Sequence, residues 1–140
     1  MFKHILVGLD GSPGSFRALE VAASLAREFG ATLEALSVVE AAPRFAGTVG
    51  EVEEEREAAE EYFAQVQERA RRVAAEHSVE VACRIVYGHA AQTLAEATRT
   101  AGVDLLVLGH SGHSGVWGTF LGTTTDKVSR HAACSVLIVR

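Results

Sequence analysis

The chain has no asparagine, one methionine, one tryptophan, two prolines and two cysteines in 140 residues. Two cysteines cannot build the disulfide framework of a small secreted domain. Cys83 and Cys134 sit in, or just before, apolar runs. They read as small buried hydrophobes in a reducing compartment, the cytoplasm, and not as a metal site. No apolar stretch approaches the roughly 20 residues of a membrane span. Basic residues number 13 against 18 acidic ones, for a net charge of −5 and a pI near 5.7. That balance excludes a nucleic-acid or anionic-membrane surface as the expected partner. Met1-Phe2-Lys3-His4 leads directly into an apolar run, so no signal peptide is expected. Arginine far outnumbers lysine. Together with the missing asparagine this fits a heat-adapted host or a GC-rich genome equally well.

What is present is a core. Hydrophobic residues make up 48% of the chain, which suits one globular domain spanning residues 1–140. Apolar runs at Lys3–Leu9, Thr32–Val39, Ser78–Tyr87, Val103–Gly109 and Ser135–Val139 read as strands. Helical spacing fills the intervals. Ser12-Pro13 supplies an N-cap and a first-turn proline, and Gly30 the stop. Phe16, Leu19, Ala22, Ala23, Ala26 and Phe29 mark one face between them. A long helix is expected over Glu51–Glu76, with the stripe Val52, Ala59, Phe63, Val66, Ala70 and Val73. Its acidic start reads as a solvated face, and Arg69, Arg71 and Arg72 as complements to the helix dipole. Further helices are expected over Ala90–Ala101, closed by Gly102, and from Gly122 to about His131. Strands alternating with helices imply an α/β fold, a doubly wound parallel sheet with helices on both faces. Ligands bind such sheets beyond the carboxyl ends of the strands, where the winding reverses. The first and fourth strands are the most apolar. Side by side at the centre, they would bring Asp10 and Gly109 together at that crevice.

The fourth strand runs into a loop punctuated by Gly109, Gly112 and Gly122, then into Thr123-Thr124-Thr125-Asp126 at a helix start. Glycine lets main-chain N–H groups approach an anion closely, and a helix N-terminus favours phosphate. The competing reading is an ordinary surface loop closed by a Thr123-x-x-Asp126 capping box. The position after a central strand, opposite Asp10, favours a ligand. Asp10-Gly11-Ser12 is also common turn chemistry. Neither the Walker nor the dinucleotide glycine signature follows any strand. His110 and His113 lie in the loop, but no cysteine or carboxylate completes a zinc set around them. Trp117 and Phe120 read as packing the loop down. His4, His77, His89 and His131 read as structural or surface residues.

The opening Lys3-His4-Ile5-Leu6-Val7-Gly8-Leu9-Asp10-Gly11-Ser12 resembles that of the universal stress protein family. Gly109-x2-Gly112-x9-Gly122-Thr123 matches that family's ATP-binding signature, spacing included. Lys127 to Arg140 resembles its closing helix and strand, with Ser135 where the family usually has proline. The resemblance covers the whole chain. It implies a five-stranded sheet in the order 3-2-1-4-5, of adenine nucleotide alpha hydrolase-like type. It implies ATP, or AMP or ADP, as ligand, with Mg2+. Asp10 would lie near the ribose and any phosphate-bound metal, and Val38 would offer main-chain groups to the adenine edge. Gly109, Gly112, Gly122, Thr123 and Thr124 would wrap the ribose and phosphates. Gly8, Leu9, His110 and His113 complete the expected cofactor-binding set. The implied function is cytoplasmic, regulatory and nucleotide-dependent, in a stress response. The alternatives are a slow ATPase or autophosphorylating enzyme on the same scaffold, and a structural dimer without ligand. The final strand, Val136-Leu137-Ile138-Val139, is expected at a sheet edge and is the expected homodimer contact.

Overall fold

Ser12 and Gly30 bracket the first helix as the sequence suggests. The Ser12 hydroxyl accepts the Ser15 N–H, Pro13 occupies the first turn, and Gly30 ends the helix in the left-handed region. The computed structural model describes residues 1–40, 48–100, 102–110 and 123–140. The chain order is β1 (His4–Gly8), α1 (Pro13–Phe29), β2 (Thr32–Val39), α2 (Val49–Glu76), β3 (Val81–Tyr87), α3 (Ala90–Ala97), β4 (Leu105–Gly109), α4 (Thr123–His131) and β5 (Ser135–Val139). Every strand pair is parallel, and the sheet order is β3-β2-β1-β4-β5.

Alternation along each strand sends its residues to two faces. Ile5, Val7, Leu9, Leu33, Ala35, Leu105 and Val107 pack with α1 and α2. Leu6, Leu36, Leu106 and Leu108 pack with Leu94 of α3 and Val128 of α4. The sheet therefore separates two distinct cores, one on each face. Cys83 belongs to the first and Cys134 to the second, and both thiols are free. Burial raises the pKa of each, which keeps them protonated at neutral pH. At the opposite end of the sheet the Asp104 carboxylate accepts the N–H groups of Lys3 at 2.8 Å and His4 at 3.1 Å, joining the starts of β4 and β1.

Several boundaries differ from those read in the sequence. The second helix starts at Val49, because Thr48 and Glu51 form a reciprocal capping box. Its buried stripe is Phe63, Val66, Ala70 and Ala74. Val52 stays over a third exposed, so the first turns of α2 stand clear of the core. The dipole role of the arginines is corrected too. The last turn of α2 holds no basic residue, and the dipole effect fades within one turn. Arg69 instead lies 3.9 Å over the Phe16 ring. Ser78 belongs to the turn before β3 and takes a positive φ of 60°. The third helix stops at Ala97, where the Thr98 and Thr100 hydroxyls bond back to the Ala95 and Ala97 carbonyls. Thr123 is itself the first helical residue of α4 rather than its cap. Among the described residues no helix is long and apolar enough to cross a membrane.

Candidate functional site

The turn from β1 to α1 is built by Asp10. Its Oδ1 accepts the Ser12 N–H at 2.9 Å, while its carbonyl accepts the Tyr62 hydroxyl at 3.0 Å. Gly11 between them has φ +89°, and Tyr62 and Val66 of α2 occupy the space a side chain there would need. Glycine is thus required twice at that position, for backbone conformation and for room. Leu9 is buried, and its N–H and carbonyl are both taken up by β2. The N–H donates to the Leu36 carbonyl, and the Ser37 hydroxyl donates to the Leu9 carbonyl at 2.6 Å. The backbone arriving at Asp10 is therefore fixed from both neighbours in space.

Gly109 ends β4 on the α1 face. A Cβ there would stand 2.7 Å from the carbonyl atoms of Gly14 and 3.1 Å from the Ser15 nitrogen. The first glycine of the loop thus lets the strand lie against the backbone of α1. The approach expected of a ligand is taken on this side by the protein itself. Its carbonyl accepts the buried Thr125 hydroxyl at 3.2 Å, tying β4 to α4. The His110 N–H donates to the Val139 carbonyl at 2.8 Å, so the loop departs from the last residue of β5. Gly8 and Val38 belong to the other face. A Cβ on Gly8 would approach the Leu108 and Leu94 methyls, and Val38 packs against the core cluster that includes Leu94 and Leu36.

On that same face a cavity of about 600 Å³ lies between α3 and α4, within the range of about 300–1,000 Å³ usual for small-molecule sites. Ala91, Gln92, Ala95, Glu96 and Arg99 line it from α3, and Thr124, Lys127 and His131 from α4. Glu40, after β2, and His89, before α3, also line it. Glu40 Oε1 accepts the Ala90 N–H at 2.8 Å, supplying the N-terminal cap that His89 does not.

Of the residues singled out in the sequence, Gly8 and Val38 share the cavity's face, and Thr124 lines the cavity. Leu9 and Gly109 face α1. Asp10 and His110 sit in the turns at the carboxyl ends of β1 and β4. Thr123 opens α4. Gly112, His113 and Gly122, with Trp117 and Phe120, lie outside the described residues. Sequence reasoning missed Glu40, His89, Lys127 and His131 as cavity residues. The only signal was the Thr124, Lys127, His131 spacing, which puts three side chains on one helical stripe. Among the described residues no group of three or more His, Cys, Asp or Glu is placed to hold a metal.

The model of the universal stress protein family matches residues 1–140. Universal stress protein YxiE of Bacillus subtilis is 34% identical over 148 aligned residues, covering 100% of each chain. The solved universal stress protein UspA of Lactobacillus plantarum superposes with a TM-score of 0.90 at 27% identity, covering 99% of this chain and 98% of its own. A universal stress protein crystallised in complex with cAMP superposes with a TM-score of 0.74 at 26% identity, covering 99% and 97%.

Proposed function

The chain belongs to the universal stress protein family, and on that premise we propose that it is a cytoplasmic regulatory protein that binds an adenine nucleotide and works as a homodimer. The observation that carries the ligand half of this reading is the cavity beside α4. It opens on the face of Gly8 and Val38, next to Thr124 in the first turn of a helix that follows the glycine loop. The 26% identical relative crystallised with cAMP supports the same ligand class.

In this reading the adenine edge meets the main chain near Val38, the ribose lies by Asp10, and the phosphates run toward Gly112, Gly122, Thr123 and Thr124. The ligand is ATP, with ADP or AMP as shorter forms. The described residues fit a magnesium ion brought by the phosphates better than a resident one. Asp10 is the carboxylate at the crevice, and Mg2+ is commonly held by one or two carboxylates together with substrate phosphates. Asp10 would supply such an oxygen beside its part in the turn to Ser12, which needs only an acceptor.

Mass spectrometry of the denatured, purified protein tests the ligand directly, with an adenine nucleotide expected. Calorimetry with ATP on Gly122→Val and Asp10→Asn tests the site. Gly122→Val is expected to lose binding. Asp10→Asn keeps the turn acceptor and is expected to weaken binding in magnesium more than in chelator. Wild-type affinity in a folded Gly122→Val protein would overturn the assignment.

A further inference from the structure

We infer that Lys127 holds the terminal phosphates of the nucleotide across the α3–α4 cavity, so that the site ranks ATP above AMP. The inference rests on the adenine-nucleotide reading and adds a specificity-determining side chain to it.

Lys127 lies on the cavity one turn beyond Thr124, on the same stripe of α4. A ligand whose phosphates reach the first turn of α4 therefore has this ammonium as its next neighbour. Two permanent cations line the cavity among the described residues, Lys127 and Arg99. Arg99 is committed. Its Nη1 donates to the Ala95 carbonyl at 3.0 Å and its Nη2 to the His131 carbonyl at 2.9 Å, clamping the end of α3 to the end of α4. Lys127 makes no ion pair or hydrogen bond with a described residue. An exposed ammonium on a flexible stem, with three donors and no partner among the described residues, suits a mobile phosphate tail.

The two helices also differ in what they offer an anion. The N-terminus of α3 already holds the Glu40 carboxylate on the Ala90 N–H. Glu96 adds a second acid to the α3 side, where Gln92 donates to it at 3.1 Å. The α4 wall has Thr124 and Lys127, together with the positive end of its dipole. The cavity thus sets Glu40 and Glu96 against Lys127, while the other cation, Arg99, is held on backbone carbonyls at the far end of the helices. An anionic tail is repelled by the two carboxylates and drawn to the Lys127 ammonium.

Calorimetry with ATP, ADP and AMP on wild type, Lys127→Ala and Lys127→Arg tests this, with circular dichroism to establish folding. Lys127 is exposed, so its replacement leaves the core intact. Lys127→Ala is expected to weaken ATP on the order of tenfold, the loss of a charge-assisted contact, and to leave AMP within about twofold. Lys127→Arg is expected to recover most of the ATP affinity. Equal losses for ATP and AMP, or no loss for either, would overturn the role of Lys127 while leaving the nucleotide reading in place. Tripolyphosphate is the independent probe. Thermal stabilisation of wild type but not of Lys127→Ala supports the phosphate contact; if no adenosine compound binds, the nucleotide reading and the ranking of ATP above AMP both fall. If neither tripolyphosphate nor any nucleotide depends on Lys127, the inference fails outright.

Discussion

Gly109 and Gly14 meet backbone to backbone, with no space for a side chain between the end of β4 and the first turn of α1. A methyl at Gly109 would press on main-chain atoms of a helix, which cannot rotate away. One at Gly8 would meet the side-chain tip of Leu108 at 2.8 Å, which can. Gly109→Ala is therefore expected to cost about 1–3 kcal/mol, in the range of core overpacking. Gly8→Ala is expected to cost less than about 1 kcal/mol, since volume can be absorbed by repacking. Urea midpoints for the two variants decide the comparison. Equal losses would show that β4 and α1 can separate freely.

The Tyr62 hydroxyl holds the Asp10 carbonyl from a different helix. Tyr62→Phe removes that bond and keeps the ring that packs edge-on to Phe63. Stability is expected to fall by no more than about 1 kcal/mol, because the ring is part exposed and water can replace the donor. Nucleotide affinity is expected to fall about threefold through a looser Asp10 turn. Lower stability with unchanged affinity would leave Tyr62 as a packing residue alone.

These two contacts mark the limit of what the sequence displayed. Ser12-Pro13 and Gly30 gave α1 almost to the residue, since caps act over three or four neighbours. The apolar character of β1 and β4 made their adjacency legible, because only buried strands carry continuous hydrophobic runs. Thr48-x-x-Glu51 was a readable capping box that the acidic run beside it obscured. By sequence alone, Gly109 signals freedom to approach a ligand. Its observed role is closeness to Gly14, 95 residues away, and no local pattern encodes that. The cavity was illegible for the same reason. It belongs to the pairing of α3 with α4, and Glu40 reaches it only because β2 delivers it to the N-terminus of α3.

Asp104 predicts an acid-side dependence of stability. The Lys3 N–H, first, and the His4 N–H bond to its carboxylate and lower its pKa, with a smaller attraction from His4. A carboxyl depressed in the folded state binds its proton more readily when unfolded. Its contribution is therefore present above the unfolded value, near pH 4, and is lost as pH falls through the folded value. The carboxylate is part exposed, so solvent screening keeps the effect small and salt-sensitive. Asp104→Asn is expected to flatten the loss of stability on acidification below about pH 4. Denaturation midpoints from pH 6 to pH 2 measure it. Parallel curves for the two proteins would remove Asp104 from the acid response.

The homodimer prediction turns on β5. The strand order leaves it at one edge of the sheet, paired on one side with β4. Val136, Leu137, Ile138 and Val139 are all part exposed, and an apolar edge with unpaired main-chain groups invites a second strand. A two-fold axis would let the same strand of two copies satisfy each other and close the assembly. The choice of variant matters. Leu137 and Val139 pack against the α1 and α2 core, and Val136 packs against the other. A lysine at any of these would damage the fold as well as an interface. Ile138 belongs to neither described core cluster, so Ile138→Lys loads the edge with charge and leaves the interior alone. Light scattering at micromolar concentration is expected to give twice the chain mass for wild type and the chain mass for Ile138→Lys. A monomeric wild type would refute the interface. A dimeric, folded Ile138→Lys would move it to another surface.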